Sequence, residues 1–501
     1  MTDHAAYQQL VTHYARIYRY DHLAAMLSWD RNAMMPPQGV EARTSAEAEL
    51  HTLIHAMRTD TRLADWIDTA GSESLDAIEA ASLREIERDW ISATAVPASL
   101  VEAKSLAESR CEHAWRSQRA HNDWKGFLPA FREVVRLARE EAQHLADATG
   151  LDPYDALLER YEPGARAVDL QRLFDNLRDW LPGMVERIEI RQSNEDVVQP
   201  VGPFPREQQR ALGLDVMERL GFNVDAGRLD ESAHPFSGGV PEDVRLTTRY
   251  RDDDFLQSLM GIIHETGHAR YEQNLPRAWL GLPIGRARSF GIHESQSLSL
   301  EMQLARSPAF AEFLSPLLRT HFGAQPAFEP ENLSRLLTRV APGKIRVDAD
   351  ETTYPAHIIL RFDIERALIA GDIEADAIPT LWDSHMQKLL GINTLGDDRN
   401  GCMQDVHWPS GAFGYFPSYT LGALYAAQWF ACIRRAHPDL DNRIAAGDPE
   451  PVFAWLNANI WSQASALETD ELTRRATGEP LNPDYFRQHL ASRYLDGASA
   501  G

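Results

Sequence analysis

Apolar residues in this chain recur at the helical repeat along most of its length, and that pattern limits the fold before any other feature does. Leu10, Tyr14, Ile17 and Tyr18 form one stripe, and Phe131, Val135, Leu137 and Ala138 form another, with charged residues on the opposite faces. Such stripes are core faces and carry no chemistry of their own. The period-two alternation of a half-buried strand is scarce. Its clearest instance is residues 244–250, where Val244, Leu246 and Thr248 alternate with Arg245, Thr247 and Arg249. The chain therefore reads as mainly α with one small β-sheet. Proline and glycine gather at residues 161–164, 199–205, 341–343 and 397–401, in breaks too short to be linkers. No repeat or low-complexity stretch stands out, and only residues 496–501 read as a frayed tail. A single domain over residues 1–501, divisible into two lobes around a cleft, is expected.

Charge narrows the partners. Fifty Lys and Arg stand against 74 Asp and Glu, for a net charge of −24. That is the wrong sign for a nucleic-acid surface, which needs clustered cations facing phosphates. Cys111, Cys402 and Cys432 are odd in number and widely spaced, so they suggest neither a disulfide framework nor a thiolate metal site. The first ten residues are polar and carry no secretory pattern, and no run approaches the ~18 apolar residues of a membrane helix. A reduced, cytoplasmic, soluble protein with no nucleic-acid or membrane partner is expected.

The segment FLQSLMGIIHETGHARYEQ, residues 255–273, concentrates the chemistry. Leu256, Leu259, Met260 and Ile263 give it an apolar helical face. His264 and His268 are four apart, so on a helix they project from one side and can share a metal ion. Glu265 lies beside the pair, where it can take a proton from water activated there. Two imidazoles and a carboxylate suit zinc, with a fourth position left for water.

The third ligand separates subclasses. A metzincin would carry Gly at position 271 and His at 274, but Tyr271 and Asn274 stand there. A gluzincin takes a carboxylate from a following helix, and Gly291-Ile-His-Glu-Ser-Gln296 supplies Glu294 ahead of a helical run at 295–304. His293 is an alternative ligand, although two His and one Glu is the commoner set for hydrolytic zinc. Glu301, two turns further on, reads as a support for a ligand or as a structural residue.

Several further motifs fall in order along the chain. Asp243-Val-Arg-Leu-Thr247 fits DxRxT, His264-Glu-Thr-Gly-His268 fits HExxH, His293-Glu-Ser-Gln296 fits HES(G)Q, Ile345-Arg-Val-Asp-Ala-Asp350 fits IRxxAD, and Gly401-Cys-Met-Gln-Asp-Val-His-Trp408 fits GxxQDxHW. Trp29-Asp30, Met35-Pro36, His234-Pro-Phe236 and Gly414-Tyr-Phe-Pro-Ser-Tyr-Thr-Leu-Gly422 support them. On these motifs the chain resembles the thermostable carboxypeptidase Taq family of metallocarboxypeptidases over nearly its whole length, with no departure at a defining position. The resemblance implies metal-dependent removal of single residues from peptide C-termini. It also implies a large helical fold with a deep groove, similar to neurolysin and angiotensin-converting enzyme, and a homodimer.

The remaining roles follow from what such a reaction needs. A free C-terminal carboxylate is held best by the charged fork of an arginine. Arg346, in IRxxAD, is the first candidate and Arg245 the second, with an ion pair to Asp348, Asp350 or Asp243 as the structural alternative. His407, with Tyr419 or Tyr415, can aim donors at the oxyanion of the tetrahedral intermediate. In neurolysin-like enzymes a histidine is followed about a dozen residues later by such a tyrosine, which favours Tyr419. Asp405 can orient His407 or a substrate amide, or cap a helix. The strand at 244–250 can accept the peptide as an added strand. The expected enzyme is thus a broad-specificity metallocarboxypeptidase with Glu265 as general base, holding Zn2+, Co2+ or Mn2+. An endo-acting oligopeptidase, a dipeptidyl carboxypeptidase with the same site, and a non-catalytic helical protein stabilised by its metal are the rival readings.

Overall fold

The computed structural model of the chain describes residues 4–232 and 235–496. His234 and residues 497–501 lie outside them. About 69% of the chain is helical, with one three-stranded sheet. Among the described residues no helix is long and apolar enough to cross a membrane. The chain divides into two compact units, each assembled from separated stretches. The first comprises Met1–Ala93, Asp196–Leu337 and Gly422–Asn482, and the second Thr94–Glu195, Thr338–Leu421 and Pro483–Gly501.

In the first unit, the helix Ala5–Ala33 buries Leu10, Tyr14 and Ile17 against Ile54, Leu63, Ile67 and Ile86 of the helices that follow. The apolar stripe of that helix is therefore a core face. The sheet consists of β1 (Gly227–Glu231), β2 (Ser237–Val240) and β3 (Asp243–Thr248) in the order β1-β3-β2. β3 pairs in parallel with β1 and antiparallel with β2. Its Val244 and Leu246 pack with Leu229, Met217, Phe222, Ile262 and Ala269. Because β3 is central, both of its backbone edges are already bonded, and a peptide cannot join it as an extra strand. The sequence expectation of strand addition at 244–250 fails for that reason. Among the described residues the outer strands are β1 and β2, which are too short and, in β2, too glycine-rich to give an alternating pattern.

The helix Phe255–Gln273 starts where the Asp254 carboxylate accepts the Gln257 backbone N–H at 3.2 Å. Ile262 and Ala269, seven residues apart, seat it on the sheet. His264 and His268 leave from the other side of the helix. A short helix, Phe290–Leu298, begins at Ser289, whose hydroxyl accepts the Ile292 N–H at 3.0 Å. It runs into a π-helical turn, Ser299–Leu304.

The second unit packs long helices, among them Trp124–Thr149, Ala167–Gln192 and Tyr354–Ala370. Phe131, Val135, Leu137 and Ala138 are all buried there. The breaks at 161–164 and 199–205 fall between helices, and those at 341–343 and 397–401 lie in loops and turns.

Candidate functional site

Two glycines bring the helix Phe290–Leu298 close enough to place its carboxylate. A Cβ on Gly267, inside the HExxH segment, would stand 2.4 Å from the Gln296 carbonyl oxygen and 2.5 Å from Ser297 Cα. One on Gly422 would stand 2.6 Å from Glu294 Cγ. Only glycine permits either approach. The same short helix is pinned by two indoles: Trp429 Nε1 donates to Ser295 Oγ at 3.1 Å, and Trp461 Nε1 to Gln296 Oε1 at 2.8 Å.

The result is a convergent set of donors. Glu294 Oε2 lies 3.3 Å from His268 Nε2 and 3.9 Å from His264 Nε2. One ligand atom from each of His264, His268 and Glu294 falls within 4.8 Å of the others, which is within reach of a single ion. The opposite ring nitrogens are held from behind. His264 Nδ1 is 2.9 Å from Glu301 Oε2, and Glu301 Oε1 accepts from Arg306 at 2.9 Å. His268 Nδ1 pairs with His293 Nδ1 at 2.6 Å, and His293 Nε2 with Glu272 Oε1 at 2.8 Å. With Glu272 accepting from His293, the His293 Nδ1 lone pair faces His268, whose own Nδ1 then carries the proton. Both histidines thereby face Glu294 with Nε2, the atom left for a metal ion once Nδ1 is engaged from behind. His293 stands behind His268 in this cluster, and the π-helical turn carries Glu301 back to His264.

The field suits a cation. Burial alone would push His264 down, but Glu294, Glu301 and Glu265 overcome it and lift the ring to about 10. Glu294 is held below its ordinary value against its burial, by His264 and His268, and Glu301 is lowered to about 2 against its burial, first by its bond to His264 and then by Arg306. Glu265 is buried beside the set. Two imidazoles and a carboxylate, in a pocket that favours positive charge, fit a divalent metal ion.

Arg245, also in the first unit, is bound by both Asp243 oxygens at 2.8 and 2.7 Å and lies over the Trp29 ring, 4.5 Å from its centroid. The ion pair with Asp243 weighed from the sequence is present.

The second unit carries Arg346, His407, Tyr415 and Tyr419. Arg346 is buried and donates through Nε and Nη2 to Asp405 Oδ1 at 3.2 and 2.9 Å, and through Nη1 to the Tyr354 hydroxyl at 3.2 Å. Its guanidinium lies 4.7 Å from the Tyr419 ring centroid. Asp405 Oδ2 is taken by Arg361, which the sequence reading did not single out. Asp405 thus serves as counter-ion to two guanidiniums, and its carboxyl is held far below the usual range by them despite its burial. Two cations against one anion leave a local charge of +1. His407 Nε2 is 3.2 Å from the Tyr419 hydroxyl, and burial lowers His407 to about 4. Tyr415 packs edge-on against Tyr419, with ring centroids 5.3 Å apart.

His357, Arg361 and Glu365 were overlooked because their helix, Tyr354–Ala370, is apolar nearly all round. Their spacing of four along that helix was the available signal, since three polar groups on one buried stripe need partners.

The family model for Carboxypeptidase Taq (M32) metallopeptidase matches residues 9–494. Thermostable carboxypeptidase 1 of Thermus thermophilus is 38% identical, with 99% of each chain covered. Among solved structures, Trypanosoma cruzi metallocarboxypeptidase 1 superposes with a TM-score of 0.97 at 45% identity, covering 98% of this chain and 100% of that one. The Pyrococcus furiosus carboxypeptidase does so with a TM-score of 0.94 at 32% identity, covering 98% and 99%. A helical fold around one small sheet, a metal-ready His264–His268–Glu294 set and full-length similarity lead to one assignment: the chain belongs to the carboxypeptidase Taq (M32) family and is a metallocarboxypeptidase, a peptide hydrolase.

Proposed function

We propose that this enzyme releases single residues from the C-termini of peptides with broad specificity, using a zinc ion held by His264, His268 and Glu294 and Glu265 as general base. The observation that carries this reading is the shared orientation of the two Nε2 atoms and the Glu294 carboxylate. A divalent ion bound there supplies acidity to water near neutral pH and polarises a carbonyl oxygen. Glu265 takes the proton of the attacking water and returns it to the leaving amine. His407 and Tyr419, 3.2 Å apart, offer neutral donors to the developing oxyanion, with Tyr415 shaping the position of Tyr419.

Arg346 is assigned the substrate's terminal carboxylate. Asp405 neutralises only one of the two guanidiniums it binds, so this locus keeps a net positive charge for a second carboxylate. Recognition of that group, and not of a side chain, accounts for single-residue release. Arg245 is the weaker candidate, since Asp243 matches its fork in full.

The deciding experiment is mass spectrometry of products from a mixed peptide set. Free amino acids and a ladder of peptides shortened one residue at a time are expected. Dipeptides or internal fragments as first products would overturn the single-residue reading. Further proposals are a homodimer, checked by light scattering of the purified enzyme, and a cytoplasmic location. The three buried free cysteines are compatible with that location.

A further inference from the structure

Glu365 is fully buried on the helix Tyr354–Ala370, one turn beyond Arg361. Its Oε2 accepts the Trp408 indole N–H at 2.7 Å, and its Oε1 accepts the Tyr154 hydroxyl at 3.0 Å and the backbone N–H of Gly414. Trp408 follows His407, and Gly414 precedes Tyr415. One carboxylate therefore ties Trp408 to Gly414, the residues that flank His407 on one side and Tyr415 on the other, with Tyr419 a turn beyond. The tie leaves little slack. Gly414 has a φ of 87°, and a Cβ there would meet the Leu157 backbone at 2.9 Å. The Trp408 ring is held by Phe131, Trp382 and Phe416.

We propose that the ionised carboxylate of Glu365 is a positioning residue for His407 and Tyr419, holding their loop in the form that presents donors to the oxyanion. The proposal rests on the roles assigned above to that pair. Its physical basis is the count of donors: three N–H or O–H groups point at two oxygens, and an ionised carboxylate is acceptor-only. Protonation puts an O–H among groups that already donate, so the bond to Trp408 or to Gly414 weakens. Glutamine meets the same conflict in either flip, because its NH2 must face Trp408 Nε1–H or Gly414 N–H.

The loop should consequently loosen near neutral pH. Burial raises the Glu365 carboxyl against the pull of its three hydrogen bonds, to about 7. The ionisable groups facing it are Tyr154 and Tyr161, both raised by burial. Arg366 and Asp155 act on Tyr154, while Arg160, Glu141 and Glu108 act on Tyr161. His407, beside Trp408, lies lower, at about 4.

The test is the pH profile of kcat for the metal-loaded enzyme, with infrared spectra of the carboxylic-acid C=O band. The parent should lose kcat as pH falls through roughly 7, while the acid band grows over the same range. Glu365→Gln should lower kcat above pH ~7 with KM within about threefold, approach the protonated parent below it, and lose both the limb near 7 and the band. Tyr154→Phe removes one bond that favours the ionised form, so limb and band should both move up by about 0.5–1 pH unit. An unmoved limb in Tyr154→Phe, or parent-like kcat in Glu365→Gln at alkaline pH, would overturn the proposal. If Glu365→Gln fails to fold, Tyr154→Phe and the band decide alone. Tyr419→Phe and His407→Ala, assayed in parallel, separate the two ideas: parent-like kcat in both would sink the oxyanion roles, whatever Glu365 does.

Discussion

Replacing Glu265 by glutamine keeps the size and polarity of the side chain and removes its basicity. The proposed metal ligands are other residues, so Glu265→Gln should bind a divalent metal like the parent and lose kcat by roughly 10²–10⁴-fold. Metal analysis beside steady-state rates checks both halves, and near-parent turnover would contradict the general-base role. Asp405 is a sharper test of structure. Removing its charge strands two buried guanidiniums, so Asp405→Asn should cost about 3–5 kcal/mol at neutral pH, read from denaturant unfolding. Because the folded-state pKa of Asp405 is depressed, its contribution is complete above the ordinary Asp value and is lost as pH falls. The gap between parent and variant should therefore narrow progressively below pH ~4. His264, Glu265 and His268 were legible because their geometry is local, within five residues of one helix. Asp405 was singled out as an orienting or capping residue, but its pairing with Arg346 and Arg361 was not legible, because they lie 59 and 44 residues away and nothing in the chain's order announces them.

At the scale of elements, the approach of Phe290–Leu298 to Phe255–Gln273 depends on the absence of two side chains. Gly267→Ala places a methyl against the Gln296 carbonyl, and Gly422→Ala places one against Glu294 itself. Backbone has to shift in the first case and the Glu294 side chain in the second. Each variant should lose about 1–3 kcal/mol of stability. Gly422→Ala should also bind metal more weakly, measured by competition with a chromophoric chelator. Unchanged affinity would mean that Glu294 can relax without leaving the site. The helices and the central strand were readable from periodicity, and the nearness of Glu294 to His264 and His268 from the search for a third carboxylate or imidazole. The pairing of β3 on both edges was not readable, since β1 and β2 are too short to alternate. Nor was the route of Glu301. A regular helix rotates by a set angle per residue, whereas the π-helical turn at Ser299–Leu304 changes which residue faces His264.

Across the whole molecule, each unit is assembled from three separated stretches, an organisation that a linear reading of breaks and stripes cannot supply. That organisation bears on what the metal does for the fold. The candidate ligands each have protein supports of their own. Glu301 and Arg306 hold His264, His293 and Glu272 hold His268, and Trp429 and Trp461 hold the helix of Glu294. All these contacts lie within one unit with a large apolar core. A zinc finger, by contrast, has too little core to fold without its ion. Chelation should accordingly abolish peptide hydrolysis while leaving the far-ultraviolet circular dichroism unchanged. Stability should fall only by the binding free energy, about 2.7 kcal/mol at a hundredfold excess of metal over Kd, a few degrees in Tm. Zinc, cobalt or manganese should each restore activity, with affinity following ligand preference and not activity order. Loss of helical signal on chelation would mean that the ion builds the site, and the supports behind His264 and His268 would then be consequences of metal binding instead of its preparation.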